Sequence, residues 1–333
     1  MVTFDVSDDA RTTGPQAHGR GPAAAVLVAV ITLVTAAIVA ASVGVPLRDP
    51  GHVTLKRLVA TAAIVVVLVA VDIVAGGRRR WTRQRSAGVL VCVLGFYATY
   101  LAYRNLKSLV PLVRPDALFD GRLSRLDRGL LGGHDPGAVL HDILGSGVSA
   151  HVLSAVYMAF FAFIPLAVAA ALVFTRRANA GAFFVAALAL NWLLGAGSYF
   201  LLPSIGPFHA APATFAHLPV TPVTHLQHTL ETERAAFLRD PQQAGAAQSI
   251  GAFASLHVAI YVTAGLAAHV LRWRRAIKAV IWTLAGLTAL ATVYFGWHYL
   301  LDDVGGVVIA GASVVLAARL TGIEVRKIRS RAG

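Results

Sequence analysis

The chain has 333 residues, 57% hydrophobic and only 14% charged, with a mean hydropathy of +0.68. Soluble domains carry about 25% charged residues, so a water-soluble globule and a disordered chain are excluded, and the lone Cys92 excludes a disulfide scaffold. The formal net charge is +13, which in so apolar a chain is a question of membrane topology before it is one of nucleic acid.

A helix needs about 20 apolar residues to cross ~30 Å of hydrocarbon. Eight stretches qualify, at approximately 23–46, 57–75, 87–105, 150–174, 180–202, 254–271, 278–297 and 299–319. The expected fold is an all-α integral membrane protein with about eight transmembrane helices. The first stretch, Pro22 to Pro46, exceeds the length of a signal-peptide core and is expected to be retained. Residues 1–21 read as a disordered tail and 22–85 as two N-terminal helices. Residues 86–321 read as a six-helix catalytic membrane domain, and 322–333 as a basic tail.

Orientation follows from Lys and Arg in the connections. The side that holds the N-terminus carries 18 of the 29 cations. It is therefore expected to be cytoplasmic, with both termini inside and the other face outside the inner membrane. That other face holds the two long connections, 106–149 and 203–253. The first contains an amphipathic stretch from Leu118 to Leu131, suited to the interface. The second, rich in Pro, His and Ala, is either a folded lid or mobile.

Ionisable groups at membrane depth are expensive and mark function by default. Asp72 and His269 lie near cationic helix ends, which gives them structural readings. A different set gathers on the outward face. His257 opens the sixth span after Gly251-Ala252-Phe253-Ala254-Ser255-Leu256. His298 and Asp302 lie four apart at the junction of the last two spans, on one helical face. An Asp there can fix the imidazole tautomer and leave the second nitrogen free. Lys107 and Arg114 flank an apolar stretch after the third span, and both suit phosphate oxygens. Histidines, a carboxylate and cations on one side are what phosphoryl transfer requires.

These residues resemble the type 2 phosphatidic acid phosphatase superfamily. Lys107-x6-Arg114-Pro115 matches its first motif, Lys-x6-Arg-Pro. Ala254-Ser255-Leu256-His257 is similar to its second, Pro-Ser-Gly-His. His298-x3-Asp302 is similar to the end of its third, Ser-Arg-x5-His-x3-Asp. Leu256 replaces a glycine, and Ala291-Thr292 stand where Ser-Arg would. Those departures resemble the inositolphosphotransferase branch, the inositolphosphorylceramide synthase or aureobasidin-resistance group, although Ala254 stands where that branch has proline.

The resemblance covers roughly 90–320, so the last six spans resemble the family's helical core. It implies His298 as a nucleophile forming a phosphohistidine, Asp302 as its orienter, and His257 as the acid for the leaving group. Lys107, Arg114 and the Ser255 region would hold phosphoryl oxygens. It implies no metal and no organic cofactor. The expected partners are membrane lipids and a phospholipid or polyprenyl-type lipid phosphate, not nucleic acid. The expected activity is phosphatase or phosphotransferase, with an inositol-phosphate-type head group as the moiety the branch implies. A non-enzymatic lipid transporter or flippase is the competing reading; it calls for interrupted helices or midplane charges, and neither is evident.

Overall fold

A computed structural model describes residues 17–243, 245 and 247–324. Residues 1–16 and 325–333, most of the two expected tails, lie outside the described residues. The described chain is helical, with no strand. In order the helices are α1 (Ala17–Ser42), α2 (Val53–Val74), α3 (Arg83–Val113), α4 (Asp120–Leu130), α5 (Pro136–Leu144) and α6 (Val148–Phe174). Then come α7 (Ala178–Leu201), α8 (Pro207–Ala210), α9 (Pro222–Arg239), α10 (Leu256–Val270), α11 (Arg275–Tyr294) and α12 (Leu300–Thr321). Helix α1 therefore begins inside the stretch expected to be a disordered tail.

Seven described helices are long and apolar enough to cross a membrane. The remaining expected span, the sixth in chain order, is α10, only 15 residues long, or about 22 Å. Its start is fixed by Ser255, whose hydroxyl accepts from the Val258 N–H at 3.4 Å. Helix α3 is longer than expected, running 31 residues and keeping Pro111 within its last turn. Lys107 thus stands on a helix wall rather than in a connection, and Arg114 is the C-cap.

Helix α7 is the central post, with 83% of its most apolar window buried, against 11% for α2. Residues 182–189 of α7 are all buried, and α1, α3, α10 and α12 pack around them. Asn191 joins three helices there. Its Nδ2 donates to Thr263 Oγ1 at 2.9 Å, and its Oδ1 accepts from Thr263 at 3.2 Å and Ser313 at 3.3 Å. In hydrocarbon such interhelical bonds contribute about 0.6–2 kcal/mol each.

At the end away from the site, Arg85 closes α6. Its guanidinium donates to the carbonyls of Leu172, Val173, Thr175 and Arg176, groups that a helix C-terminus leaves bare. Asp72 pairs with Arg80 and accepts from Trp81 Nε1 at 2.8 Å, as its place beside an arginine cluster suggested. Helix α2 otherwise meets the bundle mainly along α6.

The two long connections are folded. Helix α4 is amphipathic, with Leu123 buried while Leu126 and Leu130 are exposed. The 203–253 segment contains α8 and α9. Gln227 Nε2 of α9 donates to the Phe295 carbonyl at 2.8 Å, and Val223 N–H to Ser154 Oγ at 3.3 Å. Those bonds seat α9 on α6 and on the end of α11.

Candidate active site

The N-terminus of α10, the loop between α11 and α12, and the last turns of α3 meet around one cavity of about 300 Å³. Lys107, His257 and His298 all line it. The ring centroids of His257 and His298 lie 5.7 Å apart. Aromatic and apolar side chains, including Tyr103, Tyr157, Phe160, Trp192 and Tyr199, form much of the remaining wall.

His298 precedes α12, and its Nδ1 lies 3.3 Å from Asp302 Oδ2. The same carboxylate oxygen accepts from the Tyr299 N–H at 2.9 Å, so Asp302 caps the helix and orients the ring at once. Asp302 is fully buried, and its Oδ1 has no hydrogen-bond partner. With Nδ1 on the carboxylate, Nε2 of His298 is the nitrogen left for chemistry. Burial, with the Lys107 cation second, pushes His298 down to about 3 against an opposing backbone hydrogen bond at Ala252. The imidazole is therefore neutral near pH 7, with a lone pair available.

His257 opens α10 just past the Ser255 cap. Its ring packs on Tyr157 and Phe160, with centroids at 4.7 and 4.4 Å. Its Nε2 is buried without a partner, which leaves it free for a bound molecule. Leu256, in place of the usual glycine, is accommodated by a glycine elsewhere. A Cβ at Gly195 of α7 would lie 2.6 Å from a Leu256 methyl carbon, so the leucine occupies the room that Gly195 leaves.

Lys107 extends along an aromatic wall, its Nζ 4.7 Å from the Tyr199 ring centroid and 6.0 Å from that of Tyr103. Among the described residues it has no carboxylate partner. Gly251 permits its passage, because a Cβ there would lie 3.0 Å from Lys107 Cε. That is a packing reason for the glycine three residues before Ala254.

Arg114 and Ser255 are placed differently. Arg114 lines a smaller adjoining cavity of about 50 Å³ that Lys107 also reaches, and its Nη1 donates to the Phe200 carbonyl at 2.8 Å. Ser255 has no exposed surface. Its hydroxyl caps α10 and pairs with the Asp303 carboxylate. Thr292, where the third motif would have arginine, is also fully buried and bonds to the Ala289 carbonyl at 2.8 Å. No cation therefore comes from that position.

Sequence reasoning missed several residues. Arg57 of α2 and Arg104 of α3 line the main cavity, and Arg234 of α9 lines the smaller one. Two acids of α4 brace the site from below. Asp120 accepts from the Ile205 and Gly206 N–H groups and from the Tyr299 hydroxyl at 3.0 Å. Asp127 accepts from the Leu300 N–H at 2.7 Å and from Leu301 at 3.4 Å, at the start of α12. Ser204 accepts from the Ala252 N–H with its carbonyl and from the Phe253 N–H with its hydroxyl, both at 2.9 Å. Their hydrophilic character alone gave no signal, since isolated Asp and Ser in a connection are common.

The family model described as the PAP2 superfamily matches residues 121–316, more than half of the chain and the part that carries His257, His298 and Asp302. No curated protein and no solved structure matches the chain. On that match, around a site of this composition, the chain belongs to the PAP2 superfamily.

Proposed function

We propose that this integral membrane protein is a phosphotransferase or phosphatase of lipid-linked phosphate that works through a phosphohistidine at His298. The supporting observation is the coincidence of three groups in one cavity: a carboxylate-bound neutral imidazole, a second histidine 5.7 Å from it, and an unpaired ammonium. PAP2 superfamily membership points to the same chemistry at a coarser level.

His298 Nε2 forms the N–P bond while the bond from phosphorus to the leaving oxygen breaks. His257 delivers the proton that this oxygen needs. Asp302 holds the tautomer and stabilises the cationic ring. Lys107 faces the charge that builds on the phosphoryl oxygens, while Ser255 holds the start of α10 that carries His257. Water or an alcohol then attacks the phosphorus, His257 takes its proton, and the N–P bond breaks.

The variant motifs favour an alcohol acceptor and an inositol-phosphate-type group. Water exclusion and acceptor placement decide between the two outcomes. The Lys and Arg distribution favours cytoplasmic termini and a site on the outer face of the cell membrane. Incubation with phospholipid labelled at phosphorus, with and without candidate alcohols, followed by product identification, tests the reading. The expected result is transfer or release that is vanadate-sensitive and absent from His298→Ala and His257→Ala. Full activity in both variants overturns it, and transport that survives both changes would favour a flippase.

A further inference from the structure

The cavity holds a second cation that no motif assigns. Arg57 of α2 lies over the Tyr100 ring at 5.2 Å and the Phe161 ring at 5.3 Å, and it lines the same cavity as the histidines. Among the described residues its guanidinium has no carboxylate or carbonyl partner. Arg104 differs, since its Nη1 meets Asp49 Oδ1 at 2.7 Å. Lys56, beside Arg57, is exposed, whereas Arg57 is half-buried against α3 and α6.

A half-buried guanidinium held between rings, with no acceptor among the described residues, keeps its five donors for whatever anion the cavity takes. Helix α2 buries little else, so Arg57 is its chief contribution to this cavity. The position is also defined relative to the reacting centre. Tyr100, under Arg57, and Tyr103, beside Lys107, lie on one α3 stripe with centroids 6.1 Å apart. Tyr100 and Lys107 are seven residues apart on that helix, about 10 Å along the axis. The two cations thus face the same cavity from different helices, along one row of α3 tyrosines.

We infer that Arg57 is a second anion-binding point, and that the substrate is an amphiphile whose head group carries a second anionic group besides the phosphoryl group that reacts. This rests on the phosphotransfer reading for which group reacts, but not for which molecule binds. Lys107 and the histidines would receive the reacting phosphoryl group and Arg57 the distal one. Helix α2 lies outside the family-matched segment, so this selectivity would be a property of the chain rather than of the shared core.

The test compares four probes in defined mixed micelles. Phosphatidylinositol phosphate and phosphatidylglycerol phosphate carry spaced anions, phosphatidic acid carries one phosphate, and an isoprenyl diphosphate carries adjacent ones. The ratio of kcat/KM for a spaced probe over phosphatidic acid is expected to fall at least tenfold in Arg57→Gln and to recover in part in Arg57→Lys. The two spaced probes tell inositol from glycerol as the spacer. An unchanged ratio, or an equal fall for all probes, overturns the inference, and the isoprenyl diphosphate reads whether adjacent anions engage Arg57 as well. Binding to His298→Ala protein, read from the fluorescence of the cavity residues Trp192 and Trp297, gives the same comparison without turnover. If no probe turns over, the phosphotransfer reading fails, and the binding ratio alone still decides the case of Arg57.

Discussion

The backbone N–H of Ser255 donates to the carbonyl oxygen of Asp302 at 2.9 Å. That bond joins the cap of the helix carrying His257 to the first turn of α12, the helix that His298 precedes. The two histidines are thereby registered by main chain, not by their own side chains. Substitutions at the carboxylates should therefore change the chemistry while leaving the ring spacing intact.

Asp302→Asn is expected to lower kcat by about two to four orders of magnitude, since the amide no longer fixes the tautomer or stabilises a cationic ring. The change keeps a side-chain oxygen for the Tyr299 N–H. Steady-state kinetics beside a thermal melt in detergent checks this: a large kcat loss with little change in Tm is the expected pair of results.

His257→Ala is expected to be selective for leaving group. With a lipid alcohol as leaving group, which needs a proton, turnover should fall by about 10²-fold or more. With p-nitrophenol, which leaves well as an anion, the loss should be much smaller. Equal losses on both probes would remove the acid from His257's part. His298→Ala should abolish turnover on both and remove any acid-labile phosphoryl label.

Asp127→Ala removes the acceptor at the Leu300 N–H and is expected to destabilise the protein by about 1–2 kcal/mol. Burial pushes this carboxyl up, while the backbone bonds from Leu300 and Leu301 hold it down. Because these bonds aim the first turn of α12, kcat should fall as well, with KM changing less. Melting curves and kinetics on Asp127→Ala and Asp127→Asn measure both effects, and Asn should recover part of the stability.

The depressed His298 sets a pH signature. Its folded-state value is about 3, against an unfolded value of about 6.5. Between those values the unfolded chain binds the extra proton, so stability rises with pH across that window and is complete above about 6.5. Tm is expected to drop as pH falls from 7 towards 4, and the slope should be shallower in His298→Gln. No acidic limb in kcat/KM should originate from His298 between pH 5 and 8, which a pH profile of both proteins would show.

Hydropathy made the bundle legible, because crossing a bilayer leaves a long uninterrupted run. Alternation of the spans then put Lys107, His257 and His298 at one end without any tertiary information. What was not legible depended on contacts between distant parts of the chain. Asp127 reaches Leu300, 173 residues away, and nothing local to Asp127 announces it. Arg57 gave no signal beyond its charge, because its aromatic partners come from α3 and α6. The sixth span read as longer than α10 because the apolar composition continues upstream of Ser255, while a single hydroxyl sets where the helix begins. Arg114 satisfied a motif but faces the adjoining cavity, a distinction of side-chain direction that spacing along a chain does not carry.

The shortness of α10 bears on how concentration should be counted. At 15 residues it spans about 8 Å less than the hydrocarbon thickness, and on the proposed reading that shortfall falls at its start, where His257 stands. A lipid reacting there keeps its tails among its neighbours and only lowers its polar end. The encounter is then two-dimensional. Rate should follow the mole fraction of substrate in the surface, and diluting a mixed micelle with neutral detergent should slow turnover even when the amount per litre is unchanged.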